Sequence, residues 1–153
     1  MNDTEFIVDQ LKRAYEGEAW HGPSLMEALS GVDAAMAAVR PLAKAHNIWQ
    51  LVLHVANWNE VFLKRMDGAA LQLSPEEDFP AVTDTSEAAW KAALAKLKAS
   101  HKNLEKRVSG ADARFLERRV PGKDYNFRFM AHGIVQHEAY HAGQISILKK
   151  PAK

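Results

Sequence analysis

Two histidines near the end of the chain stand four residues apart, a spacing at which they can bind one metal ion. Residues 137–141 read HEAYH, the pattern in which a helix presents two imidazoles to zinc and the intervening glutamate acts as the general base of a protease. On a helical projection His137 and His141 lie about 40° apart and share the apolar face with Ile134. A buried imidazole needs a partner, which a metal ion would supply.

The surrounding residues do not fit a zinc protease. Such enzymes take a further ligand downstream, but no Asp or Glu occurs among the twelve residues that follow His141. In the longer protease motif a glycine and a third histidine follow, and here those positions hold Gln144 and Ile147. No strand that could hold a peptide substrate is evident. We therefore expect a different kind of metal site.

A catalytic metal site takes three protein ligands. The chain has seven histidines and no cysteine, so the third ligand must be His, Asp or Glu. His54 is the best candidate because it lies midway along the most apolar helical segment. His101 is the alternative, on the apolar face of another segment but among polar neighbours. His132 is about 140° from His137 on the same helix and should face elsewhere.

Apolar residues recur at three- and four-residue spacing in four segments, which predicts helices. We place these long helices at about residues 3–17, 46–67, 85–107 and 125–149. Shorter helical pieces are predicted within residues 23–39, between the first two long helices. Residues 69–84 and 108–124 contain Pro and Gly and are predicted to be loops. Four long helices with two long connections predict an all-α protein, a four-helix bundle.

The composition is typical of one globular domain, which we assign to residues 1–153. Apolar residues make up 47% of the chain and charged residues 25%, and the net charge of +1 gives no basis for binding nucleic acid or a membrane. No apolar run is long enough to span a membrane, and the polar first residues, MNDTEF, do not form a signal peptide. We therefore expect a cytoplasmic protein.

Three segments together form a recognisable pattern that covers nearly the whole chain: EAWHGPSLMEAL at 18–29, HNIWQLVLHVANW at 46–58 and HEAYHAGQI at 137–145. The pattern resembles the DinB-like (YfiT-like) superfamily of metal-dependent enzymes, in which a middle helix carries one histidine and the last helix carries H-x-x-x-H-x-G-Q-I. The resemblance implies His54, His137 and His141 as the ligands of a divalent metal. It also implies up-down-down-up helix topology and a homodimer.

Family members with known activity include thiol-dependent S-transferases and a thiol-dependent isomerase. Three neutral imidazoles leave the +2 charge of an ion intact, so a bound water can reach a pKa of about 7 and a bound thiol becomes more acidic. The chain is therefore expected to act on a small molecule, as a hydrolase or as a transferase that uses a low-molecular-weight thiol. All-nitrogen ligation suits zinc or nickel, with iron as an alternative. The competing hypothesis is a non-catalytic metal-binding or dimerisation module.

Several side chains near the three histidines are candidates for the pocket. Glu138 could act as a base or orient a metal-bound water. Its direction, about 60° from His141, favours instead a solvated or interface carboxylate. The remaining pocket candidates, each with simple packing as the alternative, are Trp20, His21, Gln50, Trp58, Tyr140 and Gln144.

Overall fold

A computed structural model describes residues 1–150, which form eight α-helices and no β-strand. The helices are α1 (Asp3–Tyr15), α2 (Leu25–Leu29), α3 (Ala34–Ala38), α4 (Ile48–Met66), α5 (Pro75–Asp78), α6 (Glu87–Ser109), α7 (Ala113–Leu116) and α8 (Phe127–Leu148). The predicted all-α class is confirmed for this part of the chain. None of these helices is long and apolar enough to cross a membrane.

The four long helices α1, α4, α6 and α8 lie where the spacing of apolar residues predicts them, with ends that differ by about two residues. Both predicted loops were wrong in part, because each contains a one-turn helix, α5 in the first and α7 in the second. Local caps explain these helices. Ser74 caps α5, whose first residue is Pro75, and Asp112 caps α7.

Each of the eight helices begins after a polar side chain that accepts a hydrogen bond from a backbone N–H of the first turn. These capping residues are Asn2, Ser24, Asp33, Asn47, Ser74, Ser86, Asp112 and Asn126. Each such cap is typically worth about 1 kcal/mol, because the first N–H groups of a helix otherwise lack partners. Caps therefore fix where α4 and α8, the two helices that carry the predicted ligands, begin.

The long helices contact one another in a closed ring, in which α1 and α4 each pack against both α6 and α8. The short helices cover this ring: α2 packs on α8, and α3 packs on α4 and α6. Contact between α4 and α8 is what brings His54 close to the two histidines of α8. The up-down-down-up order of helix directions stays a prediction, as does the single-domain assignment.

Buried apolar side chains form two clusters, and α4 contributes to both. The first surrounds Trp49 and Val52 of α4, with Trp90 of α6 packed against Trp49. The second surrounds Phe62, near the other end of α4, and includes Phe127 of α8. A helix anchored at both ends in this way is rigid, so the side chains along it can hold fixed positions.

Candidate metal centre

Three histidines from two helices meet in the interior. His54 of α4 lies opposite His137 and His141 of α8, and the Nε2 atom of His137 is 2.8 Å from that of His54 and 3.0 Å from that of His141. The ligand atoms of all three lie within 4.8 Å of one another, and the three can hold a metal ion. Because His54 and His141 are buried and His137 is half-buried, bulk water does not separate the rings.

The outward-facing nitrogens of two of these rings are held by oxygen atoms. His54 Nδ1 donates to the Asp78 carboxylate, with Oδ1 at 2.9 Å, and to the backbone oxygen of the same residue at 3.0 Å. His141 Nδ1 donates to Gln144 Oε1 at 2.6 Å. Each acceptor fixes the imidazole proton on Nδ1, so Nε2 presents its lone pair to the other histidines. His137 Nδ1 is buried without a hydrogen-bond partner among residues 1–150.

Aromatic rings hold the imidazoles in place. Phe79, directly after α5, stacks on His54 with ring centres 4.1 Å apart and planes within 5°. Trp58 lies edge-on to His54 and to His137, and its Nε1 donates to Asp78 Oδ1 at 2.7 Å. These contacts restrict the rotation of the rings, which keeps their nitrogens in the geometry described above.

Burial makes the three imidazoles hard to protonate. It lowers the pKa of His137 to about 3, with further lowering by His141 and His54. Burial likewise lowers the pKa of His141 to about 4. The pKa of His54 is also lowered by burial, although Asp78 opposes the shift. At neutral pH the rings are therefore uncharged and can donate lone pairs, so the residues present fit a divalent metal ion.

A cavity of about 340 Å³ lies beside the three histidines. His54, His137, Trp58 and Asp78 form part of its wall. The remaining wall is mainly apolar and consists of Tyr125, Phe129, Met130, Gly133 and Ile134, together with Arg65. Small-molecule sites have this character, a mostly apolar surface with few polar groups.

Glu138 lies in a different part of the interior from the three histidines. Its side chain is fully buried, and Oε1 accepts a hydrogen bond from His101 Nδ1 of α6 at 3.1 Å. His101 in turn stacks on Tyr15 of α1, with ring centres 3.8 Å apart. Of the expected solvated or interface carboxylate, the solvated form was therefore wrong, because Glu138 points across the interior of the bundle to His101 on the opposite helix α6. Burial raises the pKa of Glu138, and the contact with His101 opposes that shift.

Three of the predicted pocket residues lie close to the histidine rings. Trp58 lines the cavity, and Gln144 holds His141. Tyr140 meets the edge of His141 with ring centres 5.1 Å apart, although 64% of its surface is exposed. The face of α4 that carries Trp58 and the face of α8 that carries Tyr140 and Gln144 thus meet at the histidines.

The other three predicted pocket residues have different surroundings. Gln50 completes the capping box of α4 with Asn47 and accepts a hydrogen bond from Arg40. Trp20 and His21 lie in the turn before α2, where both side chains are exposed. In residues 1–150 none of the three lies in the wall of the cavity beside the histidines.

Two residues at the site were not found by sequence reasoning. Asp78 lies in a predicted loop, and the signal for it was the run Ser-Pro-Glu-Glu-Asp at 74–78, in which Ser and Pro favour a helical turn. Arg65 follows His54 by eleven residues, which places it about 20° away on the same face of α4. The spacing alone therefore indicates that Arg65 lies on the same face of α4 as His54.

The helical fold and the cluster of three imidazoles define a class of α-helical protein with a site suited to a metal ion. A model of the DinB superfamily matches residues 19–145, and the chain belongs to that superfamily. This match confirms the family that the three sequence segments indicated. No curated protein and no solved structure gives a significant match to the chain.

Replacement of His137 by Ala should abolish metal binding, because His137 Nε2 is the atom close to both other imidazoles. His132→Ala is the matched control, since His132 lies on the same helix and packs against Phe6 instead. The measurement is metal content per protein chain by mass spectrometry, with a zinc titration of each variant. Full metal content in His137→Ala would contradict this assignment and would indicate His101 as a ligand instead.

Replacement of Glu138 by Ala should lower the free energy of unfolding by about 1–3 kcal/mol, because it leaves His101 buried without its acceptor. Metal content should stay unchanged, since Glu138 faces away from the three imidazoles. In the double variant with His101→Ala the losses should be less than additive. Urea unfolding and metal analysis test both points. A stable Glu138→Ala protein that has lost its metal would show instead that Glu138 supports the metal centre.

Proposed function

We propose that this chain is a divalent-metal-dependent enzyme that acts on a small molecule, as a thiol S-transferase or a hydrolase. The observation that carries the proposal is the position of His54 and His137 in the wall of an apolar cavity. A site kept only for stability would not need such a cavity beside its ligands. Membership of the DinB superfamily supports the same conclusion.

The polar residues beside the histidines would orient the imidazole rings. Asp78 and Gln144 keep protons on the outer nitrogens of His54 and His141, and thereby direct both Nε2 lone pairs inward. A divalent ion bound there, zinc or nickel by the nature of the ligands, would supply a positive charge that acidifies a coordinated water or thiol. The apolar wall would hold the substrate and limit the access of bulk water.

The surroundings of the carboxylates favour thiol transfer over hydrolysis. Asp78 is the carboxylate in the cavity wall, and its Oδ1 already accepts from His54 and from Trp58. Glu138 is paired with His101 in the core. Glu138 does not line the cavity, and the hydrogen bonds of Asp78 Oδ1 orient His54 and Trp58 rather than a water. A thiol, with an ordinary pKa of ~8.5, loses its proton without a general base far more readily than water does.

We also propose the assembly that the family resemblance implies, a homodimer of up-down-down-up four-helix bundles. Three large apolar side chains of α8, Phe129, Tyr140 and Ile147, are each about two-thirds exposed. Their spacing places them within about 20° of one another on the helix. A second copy of the chain would cover this stripe. A monomer in light scattering at micromolar concentration would contradict the dimer.

The enzyme proposal predicts metal-dependent turnover in a screen of thiols with electrophiles. The protein would be loaded with zinc or with nickel and mixed with glutathione or cysteine and 1-chloro-2,4-dinitrobenzene, with p-nitrophenyl acetate as the hydrolysis substrate. We expect product formation above the protein-free rate, and its loss in His137→Ala but not in His132→Ala. Identical rates for wild type and His137→Ala across the screen, with metal bound to the wild type, would favour the non-catalytic module.

A further inference from the structure

An arginine in the cavity wall is buried without an acidic partner. Only 2% of the surface of Arg65 is exposed. Across residues 1–150 no carboxylate oxygen lies within 4.0 Å of its nitrogens. A buried guanidinium without an anion is rare in proteins, because the loss of hydration is costly. The position of Arg65 therefore calls for an explanation.

The hydrogen bonds of Arg65 satisfy one edge of the guanidinium and leave the other with weak contacts. Nε and Nη2 donate to the backbone oxygen of Leu71 at 3.2 and 2.8 Å, which ties the segment after α4 to that helix. Nη1 has two long contacts, with Tyr125 Oη at 3.4 Å and with Met130 Sδ at 3.8 Å. Tyr125 and Met130 both line the cavity, so Nη1 is the end of the side chain that is directed at it.

One aromatic ring is close to both the arginine and the histidines. The Arg65 Cζ atom lies 5.7 Å from the ring centre of Trp58, a distance at which the face of the ring stabilises a cation. The same ring lies 6.4 Å from His54 and 6.2 Å from His137. Arg65 is thus one polar region of a cavity whose other polar region is formed by His54 and His137 with Asp78 beside them, and most of the remaining wall is apolar.

The chemistry of this wall selects one kind of anion. Nη1, which makes only long contacts, has N–H groups that can donate to a carboxylate in a charge-assisted hydrogen bond. A phosphate dianion would need additional donors, and Trp58 already uses its Nε1–H on Asp78. The volume of about 340 Å³ suits a molecule of small size. The apolar wall provides contact for a hydrocarbon or aromatic body.

We propose that the cavity binds a small monocarboxylate with an apolar or aromatic body, its carboxylate on Arg65 Nη1 and its other end toward His54 and His137. The proposal rests on the proposed function only in that it identifies the class of substrate for that site. Binding of the carboxylate itself depends on Arg65 and not on turnover. It can therefore be tested separately from the enzyme activity.

The test compares acids with their uncharged amides. Phenylacetate, 3-phenylpropionate and 4-phenylbutyrate, and the primary amide of each, would be titrated by calorimetry into the full-length protein as purified. We expect at least one acid to bind about 10- to 100-fold more tightly than its amide, the effect of a charge-assisted hydrogen bond in a buried site. Arg65→Met, which keeps the length of the side chain without its charge, should remove this preference.

Two glycines of α8 provide a matched pair of variants that do not alter Arg65. Gly133 lines the cavity, and a Cβ atom there would meet nothing within 4 Å. Gly143 lies on the same helix, away from the cavity, with equally free space. Gly133→Leu should therefore fill the cavity and weaken binding of the acid at least tenfold, whereas Gly143→Leu should bind it as the wild type does. This pair tests the location even where Arg65→Met does not fold.

Several results would overturn the proposal. The first is equal affinity of the wild type for acid and amide. The second is a Kd above about 10 mM for every acid. The third is a preference for the acid over its amide that persists in Arg65→Met. Tighter binding of phenylphosphonate than of the acids would contradict the choice of carboxylate. A preference lost in His137→Ala but kept in Arg65→Met would place the carboxylate at the histidines instead. Failure of the enzyme proposal would show in metal content and turnover, neither of which enters this comparison.

Discussion

Burial of three uncharged imidazoles against one another is the constraint on which the site depends. The Nε2 atom of His137 lies 2.8 and 3.0 Å from those of the other two, and burial together with the neighbouring imidazoles keeps the rings unprotonated at neutral pH. The surrounding structure must hold three electron-rich atoms in this arrangement. The packing of α4 against α8 does so for the backbone, while Asp78, Gln144 and Phe79 do so for the rings. Loss of any one of these supports would let the imidazoles separate.

The helix α8 contributes side chains to two separate regions of the interior. His137 faces α4 and the cavity, whereas Glu138, the next residue, faces α6 and pairs with His101. Successive helix positions point about 100° apart, so adjacent residues of a central helix readily contact different neighbours. This explains why H-E-x-x-H here does not have the arrangement of a protease motif. The two histidines share one face, and the glutamate belongs to the packing between α1, α6 and α8.

Much of the fold and part of the site could be predicted from the sequence. The four long helices follow from apolar spacing, and the nearness of His137 to His141 follows from the helix repeat. His54 was selected because it lies midway along the most apolar helix and two further histidines were predicted on a facing helix. The role of Glu138 could not be predicted, because a projection gives its direction but not which helix lies there. The carboxylate is buried because it points across the bundle to His101 of α6.

The contacts that Arg65 and Asp78 make at the site could not be predicted from local sequence, for a related physical reason. Lys64 and Arg65 lie in the last turn of α4, where basic side chains complement the helix dipole and are normally solvated. Arg65 is buried instead. Its burial depends on Leu71 and Tyr125, residues six and sixty positions further along the chain. Asp78 acts on a ring that is 24 positions earlier in the chain. Contacts over such separations follow from the tertiary fold and not from any local pattern.

The connection between α4 and α6 shows a consequence of using a loop to support a buried site. Connections of this kind usually accept insertions and deletions at little cost, because their closure entropy changes slowly with length. Here α5 within the connection carries the acceptor for His54, and the residue after it covers the same ring. A change in length between residues 69 and 78 would displace both. The segment is therefore as constrained in length as a core helix, although it is exposed over much of its surface.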